Sequence, residues 1–308
     1  MSQEFLTGTS GYFYKGWWRF QHPISKNRDQ TLGYYPENIA KGRALEYYSK
    51  DFTICELNSP FYKLPSVGTV KKWYGQTPEN FKFLVKFSRF ATHGKKLADF
   101  EENYRNFWDD RLEHLKEKCV GILVQLGPKF KNAGTRSKVD SLTMFERIRK
   151  AGRVKTAVKI FVEFRDPSWF CSEVYSLLKE IGWVPVHVNL NNFGREFGNM
   201  DSGYSPKLDE DELQTEYFMA RCHGTWSKAY RGGYSLGDLQ ELYFKAKKYQ
   251  KAIIIFDNTD TFAGMVECPV PGKMMFDGNF LGGASFPHAV SDAQTMQTIH
   301  LLLSSETL

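Results

Sequence analysis

Eight short apolar segments, each ending in polar residues, constrain the fold of this chain more than any single motif. Most are separated by stretches of helical length, the pattern of alternating strands and helices that builds a parallel sheet. Eight such units predict one closed (β/α)₈ barrel of the TIM type, with long loops at its C-terminal mouth. The segments are residues 4–10, 52–58, 81–87, 120–126, 159–165, 183–189, 217–224 and 252–258.

The intervening sequence predicts the helices and two irregular regions. Helices are expected at residues 37–50, 66–76, 97–118, 137–151, 168–181, 235–250 and 290–304. The long aromatic and basic loop at 11–36 is expected to fold over the mouth, and 190–216 forms an irregular insert. No repeat or linker composition divides the chain, so residues 1–308 are predicted to form a single domain.

In a parallel barrel the C-terminal ends of all strands surround one mouth, where active sites of this fold lie. Residues two apart on a strand share a face, which pairs Glu163 with Arg165 and Arg221 with His223. In the last strand, either Asp257 or Asn258 could face the lumen. Cys55 and Cys222 alternate away and are predicted to face the helices. The predicted ring is Glu56, Asn58, Lys86, Gln125, Glu163, Arg165, His187, Asn189, Arg221, His223, Asp257 and Asn258.

Composition limits the environment and the ligand. No apolar stretch approaches the roughly 20 residues that cross a bilayer, and the N-terminal residues lack a leader pattern. Five widely spaced cysteines without a C-x-x-C motif argue against a disulfide framework or structural zinc site. We therefore expect a cytoplasmic protein without a membrane partner. Its net charge is +6, and many Lys and Arg residues lie in loops after the strands, which favours an anionic ligand.

The ring residues suggest acid and base chemistry on an anion. Glu163 and His223 are the predicted acid/base pair, while Glu56 or Asp257 would orient water. Arg165, Arg221 and Lys86 are predicted to neutralise the anion, and other binding residues are Asn58, Gln125, His187, Asn189 and Asn258. A divalent metal held by histidine and carboxylate is conceivable but not favoured, because three cations share the ring. No cofactor is identified.

Aromatic residues interleaved with basic ones in two long loops resemble stacking platforms beside phosphate contacts. Trp17 and Trp226 are the predicted stacking residues, with Tyr62 as a further ligand contact. The alternative is that Trp17, Trp18, Tyr34 and Tyr35 plug the barrel top. The chain has no nucleophile elbow, P-loop or dinucleotide fingerprint.

The sequence resembles the YecE-like family, known as domain of unknown function 72. The likeness runs in order along nearly the whole chain, through GTSGY at 8–12, ELNSPFY at 56–62, TH at 92–93, QL at 125–126, VEFRDPSWF at 162–170, RCHG at 221–224, YRGGYS at 230–235 and FDNT at 256–259. This resemblance implies a TIM-type barrel and brings no settled activity. The family's likeness to barrel endonucleases implies a nucleic-acid role by fold analogy. Where the family has Asn-Asn after the last strand, this chain has Asp257 and Asn258.

The sequence thus favours an enzyme: a hydrolase of an anionic, phosphate-bearing substrate, such as a phosphodiester, bound at the mouth. One alternative is a nucleic-acid binder without catalysis, using Trp17, Lys95, Lys96, Trp226 and Arg231. Another is a carbohydrate-active enzyme, since paired carboxylates with aromatic platforms suit sugar rings. The expected partner is an anionic small molecule or nucleic acid, and no protein partner can be inferred.

Overall fold

The computed structural model describes most of the chain. The described residues are 3–14, 17–18, 20–21, 31–32, 34–36, 38–132, 142–190, 203–204, 215–224, 232–257, 265–267, 274–276 and 287–305. Within this part, no helix combines the length and the apolar composition needed to cross a membrane.

The strands that build the main sheet overlap the predicted apolar segments, except the strand Gly203–Tyr204, which lies in the segment predicted as an irregular insert. They are β1 (Glu4–Ser10), β4 (Ile54–Leu57), β5 (Lys82–Lys86), β6 (Cys119–Gln125), β7 (Lys159–Glu163), β8 (Val184–Pro185), β9 (His187–Leu190), β10 (Gly203–Tyr204), β11 (Tyr217–Cys222) and β12 (Lys251–Phe256). Two small hairpins lie outside this sheet: β2 (Phe20–Gln21) with β3 (Thr31–Leu32), and β13 (Met265–Glu267) with β14 (Met274–Phe276).

The main sheet is parallel and nearly closed. Its order is β10-β9-β11-β12-β1-β4-β5-β6-β7-β8, and of these strands only β10 is antiparallel to its neighbour. Strand β8 ends this order and β9 is second from the other end, yet only Val186 separates these two strands in the chain. The sheet therefore curls round until its two ends meet.

The predicted count of eight strands is not the count observed, because nine parallel strands form this barrel-like sheet. The sixth predicted strand is divided at Val186: its first half, β8, pairs with β7, and its second half, β9, pairs with β11. Pro185 in β8 has no backbone N–H to offer a ladder. The backbone of Val186 itself donates to the carbonyl of Val162 in β7.

Helices lie between most of the parallel strands. They are α1 (Ala44–Asp51), α2 (Ser59–Tyr62), α3 (Val67–Gly75), α4 (Phe100–Phe107), α5 (Met144–Gly152), α6 (Ser172–Ile181), α7 (Leu236–Ala246) and α8 (His288–Ser305). Short 3₁₀ turns cover Lys41–Arg43, Leu112–Lys118 and Pro167–Trp169, and Phe90–Gly94 is one turn of π-helix. Helices α5 and α7 begin at capping boxes, Thr143 with Glu146 and Ser235 with Asp238.

Two apolar clusters divide the core as strand alternation requires. One contains strand residues and Val186, which joins β8 to β9, and it fills the barrel; its members include Ile54, Leu84, Leu123, Phe161 and Ile255. The other combines the alternate strand residues with helix residues, and it lies between sheet and helices. Cys55 and Cys222 belong to this outer cluster, as predicted. The alternation fixes which strand-end residues continue the inner row into the mouth.

The third predicted helix, 97–118, is interrupted. Helix α4 ends at Phe107, and the chain reaches β6 through the 3₁₀ turn, in which Lys116 has a positive φ. The spacing of apolar residues continues across the break, since Phe107, Leu112 and Leu115 are all buried. Periodicity alone therefore could not reveal the interruption.

Candidate functional site

Six charged or titratable side chains meet at the C-terminal ends of the strands. Glu56 and Glu163 lie at the ends of β4 and β7, and Arg221 lies near the end of β11. Arg165, His223 and Asp257 follow β7, β11 and β12 by one or two residues. All six are buried. Asp257 therefore answers the register question of the last strand, while Asn258 lies outside the described residues.

Arg221 is the centre of this ion-pair network. Its Nε and Nη2 donate to the two carboxylate oxygens of Glu56, each at 2.8 Å. Its Nη1 donates to Glu163 Oε2 at 2.7 Å, and Nη2 also reaches Asp257 Oδ2 at 2.8 Å. One guanidinium thus neutralises part of the charge of three carboxylates, which would be costly to bury unpaired.

A second branch joins Glu163 to Asp257 through Arg165 and His223. Arg165 Nε donates to Glu163 Oε1, and Arg165 Nη2 lies 3.2 Å from His223 Nε2. Because arginine only donates, His223 Nε2 must carry a lone pair. The ring proton of neutral His223 then lies on Nδ1, which is 3.1 Å from Asp257 Oδ2.

The electrostatics of the network favour fixed charges. Burial alone would raise the pKa of Glu163, but Arg165 and Arg221 outweigh it and hold this pKa at about 2. Burial would likewise raise the pKa of Asp257, yet Arg221 and His223 keep it well below its ordinary value. Burial, together with Arg165, lowers the pKa of His223 to about 4. Near neutral pH we therefore expect Glu163 and Asp257 to be ionised and His223 to be uncharged.

Beside this network the mouth opens into a cleft of about 520 Å³. That volume is within the range of sites for small molecules. One wall is aromatic, from Tyr12, Phe13, Tyr14 and Tyr62, and the polar lining comes from Glu56, Asn58, Ser59, Lys86 and Asp257. A larger groove of about 1330 Å³ lies between the 97–110 segment and α5, away from the network, and its lining mixes acidic and basic side chains.

Lys86 differs from the two arginines because its charge is not neutralised by direct contact. Within the described part of the chain its ammonium has no hydrogen bond or ion pair, and its Nζ lies 4.5 Å from the centre of the Phe61 ring. Burial and the nearby Arg221 lower the pKa of Lys86 to about 8. Lys86 is thus a cation at neutral pH with its donors available to a ligand in the cleft.

Two acceptor atoms at the cleft are also unengaged by described residues. Asn58 donates from Nδ2 to Ser10 Oγ at 2.6 Å, whereas its buried Oδ1 has no hydrogen-bond partner in the described structure. Asp257 uses Oδ2 for both Arg221 and His223, and no hydrogen bond or ion pair to a described residue involves its Oδ1. Its side chain keeps 11% of its surface exposed.

The remaining predicted site residues divide into three groups. Tyr62 is 74% exposed at the cleft rim, and Gln125 ends β6 beside Glu163 in the sheet register. His187 and Trp17 are not among the residues that line the cleft. Trp226, Arg231 and Asn258 lie outside the described residues, as does the side chain of Asn189 in β9.

The predicted mouth positions of His187 and Trp17 are wrong. The ring of His187 stacks on Phe218 at 4.6 Å, and Phe218 belongs to the cluster between sheet and helices. In β9 it is Val188 that faces the barrel interior. Trp17 is 0% exposed and packs against Tyr14, Tyr34 and Tyr35, so it presents no face to a ligand.

Sequence reasoning missed two polar residues of this region. Ser10, at the end of β1, donates to Glu56 Oε1 at 2.9 Å and accepts from Asn58. His93 follows β5 and packs edge-on against Phe61 at 5.4 Å between ring centres. Ser10 ends the first predicted segment, so the barrel pattern already placed it at the mouth, although it was not selected as a site residue. Nothing in the spacing of the TH motif placed His93 there.

The carboxylates are not arranged as an open pair. Arg221 bonds to both Glu56 and Glu163, and its guanidinium therefore occupies the space between them. Among the described residues, no group of three or more His, Cys, Asp or Glu side chains has an arrangement that could hold a metal ion.

The chain is similar to known proteins along most of its length. The family model described as "Protein of unknown function DUF72" matches residues 6–268. UPF0759 protein YunF of Bacillus subtilis (strain 168) is 29% identical over 160 residues, which cover 49% of this chain and 54% of that protein. The match thus spans about half the length of this relative.

Solved structures of the same family share the fold. A DUF72 family protein from Thermotoga maritima MSB8 superposes with a TM-score of 0.65 at 23% identity, covering 96% of this chain and 98% of that one. One from Enterococcus faecalis V583 gives 0.61 at 18% identity, covering 83% and 87%. The family expected from the sequence motifs is confirmed: the chain belongs to the DUF72 family of proteins of unknown function.

Proposed function

We propose that the chain is a hydrolase of a small, phosphate-bearing anion bound in the cleft beside Lys86. The observation that carries this proposal is the state of Lys86, a cleft cation without a hydrogen-bonded or ion-paired partner among the described residues. A charge-assisted hydrogen bond from an ammonium to a phosphate oxygen is strong and would be favoured in this partly buried cleft.

Arg165 and Arg221 support the anion indirectly in this proposal. Their guanidinium groups already contact Glu56, Glu163, Asp257 and His223, so they hold the three carboxylates in place. Both carboxylate oxygens of Glu163 and both ring nitrogens of His223 already contact neighbouring side chains. We therefore propose that these two residues position the network, in place of the proton transfer that the sequence predicted.

Asp257 is the proposed orienting group for the attacking water. Asp257 lines the cleft, no described residue forms a hydrogen bond or ion pair with its Oδ1, and Arg221 and His223 fix its Oδ2. Asn58 Oδ1 is a second acceptor, suited to a ligand hydroxyl. The aromatic wall of the cleft suits a sugar or base ring attached to the phosphate.

The alternatives receive less support. Of the residues that would give affinity for nucleic acid, Trp17 is buried, and Trp226 and Arg231 lie outside the described residues. A glycosidase needs two carboxyl groups flanking the sugar bond, whereas Arg221 lies between Glu56 and Glu163.

The test is a hydrolysis assay on purified chain with bis(4-nitrophenyl) phosphate, 4-nitrophenyl phosphate and short oligonucleotides. Each substrate is assayed with chelator and with Mg²⁺, Mn²⁺ or Zn²⁺. We expect turnover of at least one substrate, with a kcat lowered about 100-fold in D257N. Substrates left intact under every condition would refute the hydrolase.

The proposed contact between Lys86 and the anion can be tested against a matched control, Lys82. Lys82 begins the strand that Lys86 ends, and its Nζ donates to the backbone of Glu117 away from the mouth. K86M should raise KM at least about tenfold, because a charge-assisted hydrogen bond contributes about 1.5 to 3 kcal/mol. K82M should leave KM unchanged. Equal effects of the two substitutions would contradict the assignment of Lys86.

A further inference from the structure

The Thr92–His93 pair lies in a constrained segment after β5. Thr92 is buried, and its hydroxyl donates to the backbone carbonyl of Ser88 at 2.9 Å. The same Oγ1 lies 2.9 Å from His93 Nδ1. Both residues belong to the single π-helical turn Phe90–Gly94, a rare conformation that is frequent at functional sites.

These two contacts decide the tautomer of His93. A threonine hydroxyl has one hydrogen, and the Ser88 carbonyl, which can only accept, takes it. The contact to Nδ1 is then favourable only if Nδ1 carries the ring proton and donates to Oγ1. Neutral His93 therefore has its lone pair on Nε2, and no described residue bonds to that atom.

The surrounding structure holds the ring near Lys86. His93 packs edge-on against Phe61, and the ammonium of Lys86 lies over the same Phe61 ring. On another side, a Cβ at Gly127 would come within 3.1 Å of His93 Cδ2, so glycine allows this close approach. The segment is also tied to α5, because Arg147 Nη1 donates to the carbonyls of Lys95 and Lys96 at 3.0 and 3.1 Å.

The local charges favour the neutral ring. Burial, then Lys86, Arg89 and Arg165, lower the pKa of His93 below its ordinary value, and Glu163 opposes this shift more weakly. His223, in contrast, has Arg165 against its Nε2 and is fully buried. Of these two histidines, His93 is only partly buried, and it is the one whose Nε2 no described residue bonds to.

We propose that His93 is the proton-transfer group of the mouth, with its Nε2 lone pair accepting a proton or hydrogen bond from the ligand or the attacking water. The proposal rests on the proposed function, because its substrate is the phosphate-bearing anion held by Lys86. As water attacks phosphorus, His93 Nε2 takes one water proton and becomes imidazolium. It returns this proton to the leaving oxygen when the phosphorus–oxygen bond breaks.

The first experiment reads the tautomer directly and needs no turnover. The full chain is labelled with ¹⁵N-histidine, the spectrum of its seven histidines is recorded, and H93Q assigns the His93 signals. We expect a protonated Nδ1 and a lone pair on Nε2. T92S, which keeps the hydroxyl, should preserve this state, and T92V should move population to the Nε2–H tautomer.

Inorganic phosphate is the probe for ligand contact in the same spectra. It should shift the His93 Nε2 signal in the wild type and in K82M, but not in K86M. An Nε2–H tautomer in the wild type, indifference to T92V, or an Nε2 signal insensitive to phosphate would each overturn the inference.

Kinetics then test proton transfer on any substrate that the hydrolysis assay identifies. H93Q should lower kcat about 100-fold with little change in KM. Because the base form is lost on protonation, wild-type kcat should fall as the pH drops through the lowered pKa of His93, and H93Q should lack this fall. An unchanged kcat in H93Q refutes the inference alone. Absence of any turnover refutes the hydrolase and, with it, the catalytic role, while the spectra still decide whether His93 Nε2 contacts the anion.

Discussion

Arg221 is the residue whose loss should damage the mouth most. It contacts Glu56, Glu163 and Asp257, and its removal would leave three buried carboxylates without their shared cation. Breaking a buried ion pair from one side costs about 3 to 5 kcal/mol, so R221M should lower the free energy of unfolding by at least this amount. Urea unfolding measures the change.

The control is R105M, which removes an arginine that is 67% exposed and paired with Glu101 on the surface of α4. R105M should lower the free energy of unfolding much less, because exposed ion pairs contribute little to stability. An R221M chain as stable as R105M would show that the network is not what holds the carboxylates in the mouth.

Glu163 should make stability depend on acid pH. Its pKa in the folded chain is about 2, below the ordinary 4.5, because Arg165 and Arg221 outweigh burial. The folded state therefore binds the proton less readily than the unfolded state. The resulting stabilisation, about 3 kcal/mol, is complete above pH 4.5 and is lost as the pH falls toward 2.

The measurement is the free energy of unfolding in urea at pH 6 and pH 3, compared between the wild type and E163Q. The wild type should lose more stability on acidification, since E163Q has no carboxylate to protonate at this position. Parallel losses in the two proteins would contradict the ion-pair account of Glu163.

Single residues also show how far sequence reasoning reached. Two-residue alternation placed Glu56, Glu163, Arg165, Arg221 and His223 in one ring because each follows an apolar strand with a clear register. It could not show that the arginines contact the carboxylates directly, because such contacts join residues that are far apart in the chain. Glu56 and Arg221, for example, are 165 positions apart. The sequence already predicted Lys86 as an anion contact, and the structure adds that, unlike the two arginines, its ammonium has no hydrogen-bonded or ion-paired partner among the described residues.

Among the elements, β1 and β4 approach so closely at Gly8 that only glycine fits. A Cβ there would lie 2.0 Å from the Ile54 carbonyl oxygen and 2.9 Å from the Tyr48 hydroxyl. G8A should therefore push the two strands apart and lower the free energy of unfolding by at least about 2 kcal/mol. Thermal or urea unfolding measures the loss.

Gly75 is the matched control, because it ends α3 and a Cβ there would meet nothing within 4 Å. G75A should be neutral or stabilising by up to about 1 kcal/mol. If G8A were tolerated as well as G75A, the close pairing of β1 with β4 would be wrong.

The sequence predicted least well those elements in which the pairing of strands across the sheet determines the structure and the local alternation of apolar residues does not. The alternation in 183–189 assigned His187 to the lumen, but Val184, Val186 and Val188 form the inner row there. Histidine and valine both occur on strand faces that point into a barrel and on faces that point to the helices. The segment alone therefore could not show which of its two faces points into the barrel. Its division between β7 and β11 likewise depends on the whole sheet.

At the scale of the whole molecule, the fold class followed from the sequence because eight apolar segments with polar ends leave few alternatives to a parallel barrel-like sheet. The chemistry did not follow in the same way. The barrel brings six ionisable residues together from four strand ends, and most of their charge is neutralised within the network. Function is therefore expected beside the network, where Lys86 and Asp257 border the cleft.

The measurement that tests this account most directly is calorimetric titration of the chain with a phosphodiester, whose single negative charge does not change between pH 6 and pH 10. Burial and Arg221 place the pKa of Lys86 near 8, so binding should be strong at pH 7 and weaken as the pH rises through 8. K86M should bind at least about tenfold more weakly than the wild type or K82M at pH 7. Equal, pH-independent binding by all three proteins, or no binding by any, would contradict the assignment of an anion site to Lys86.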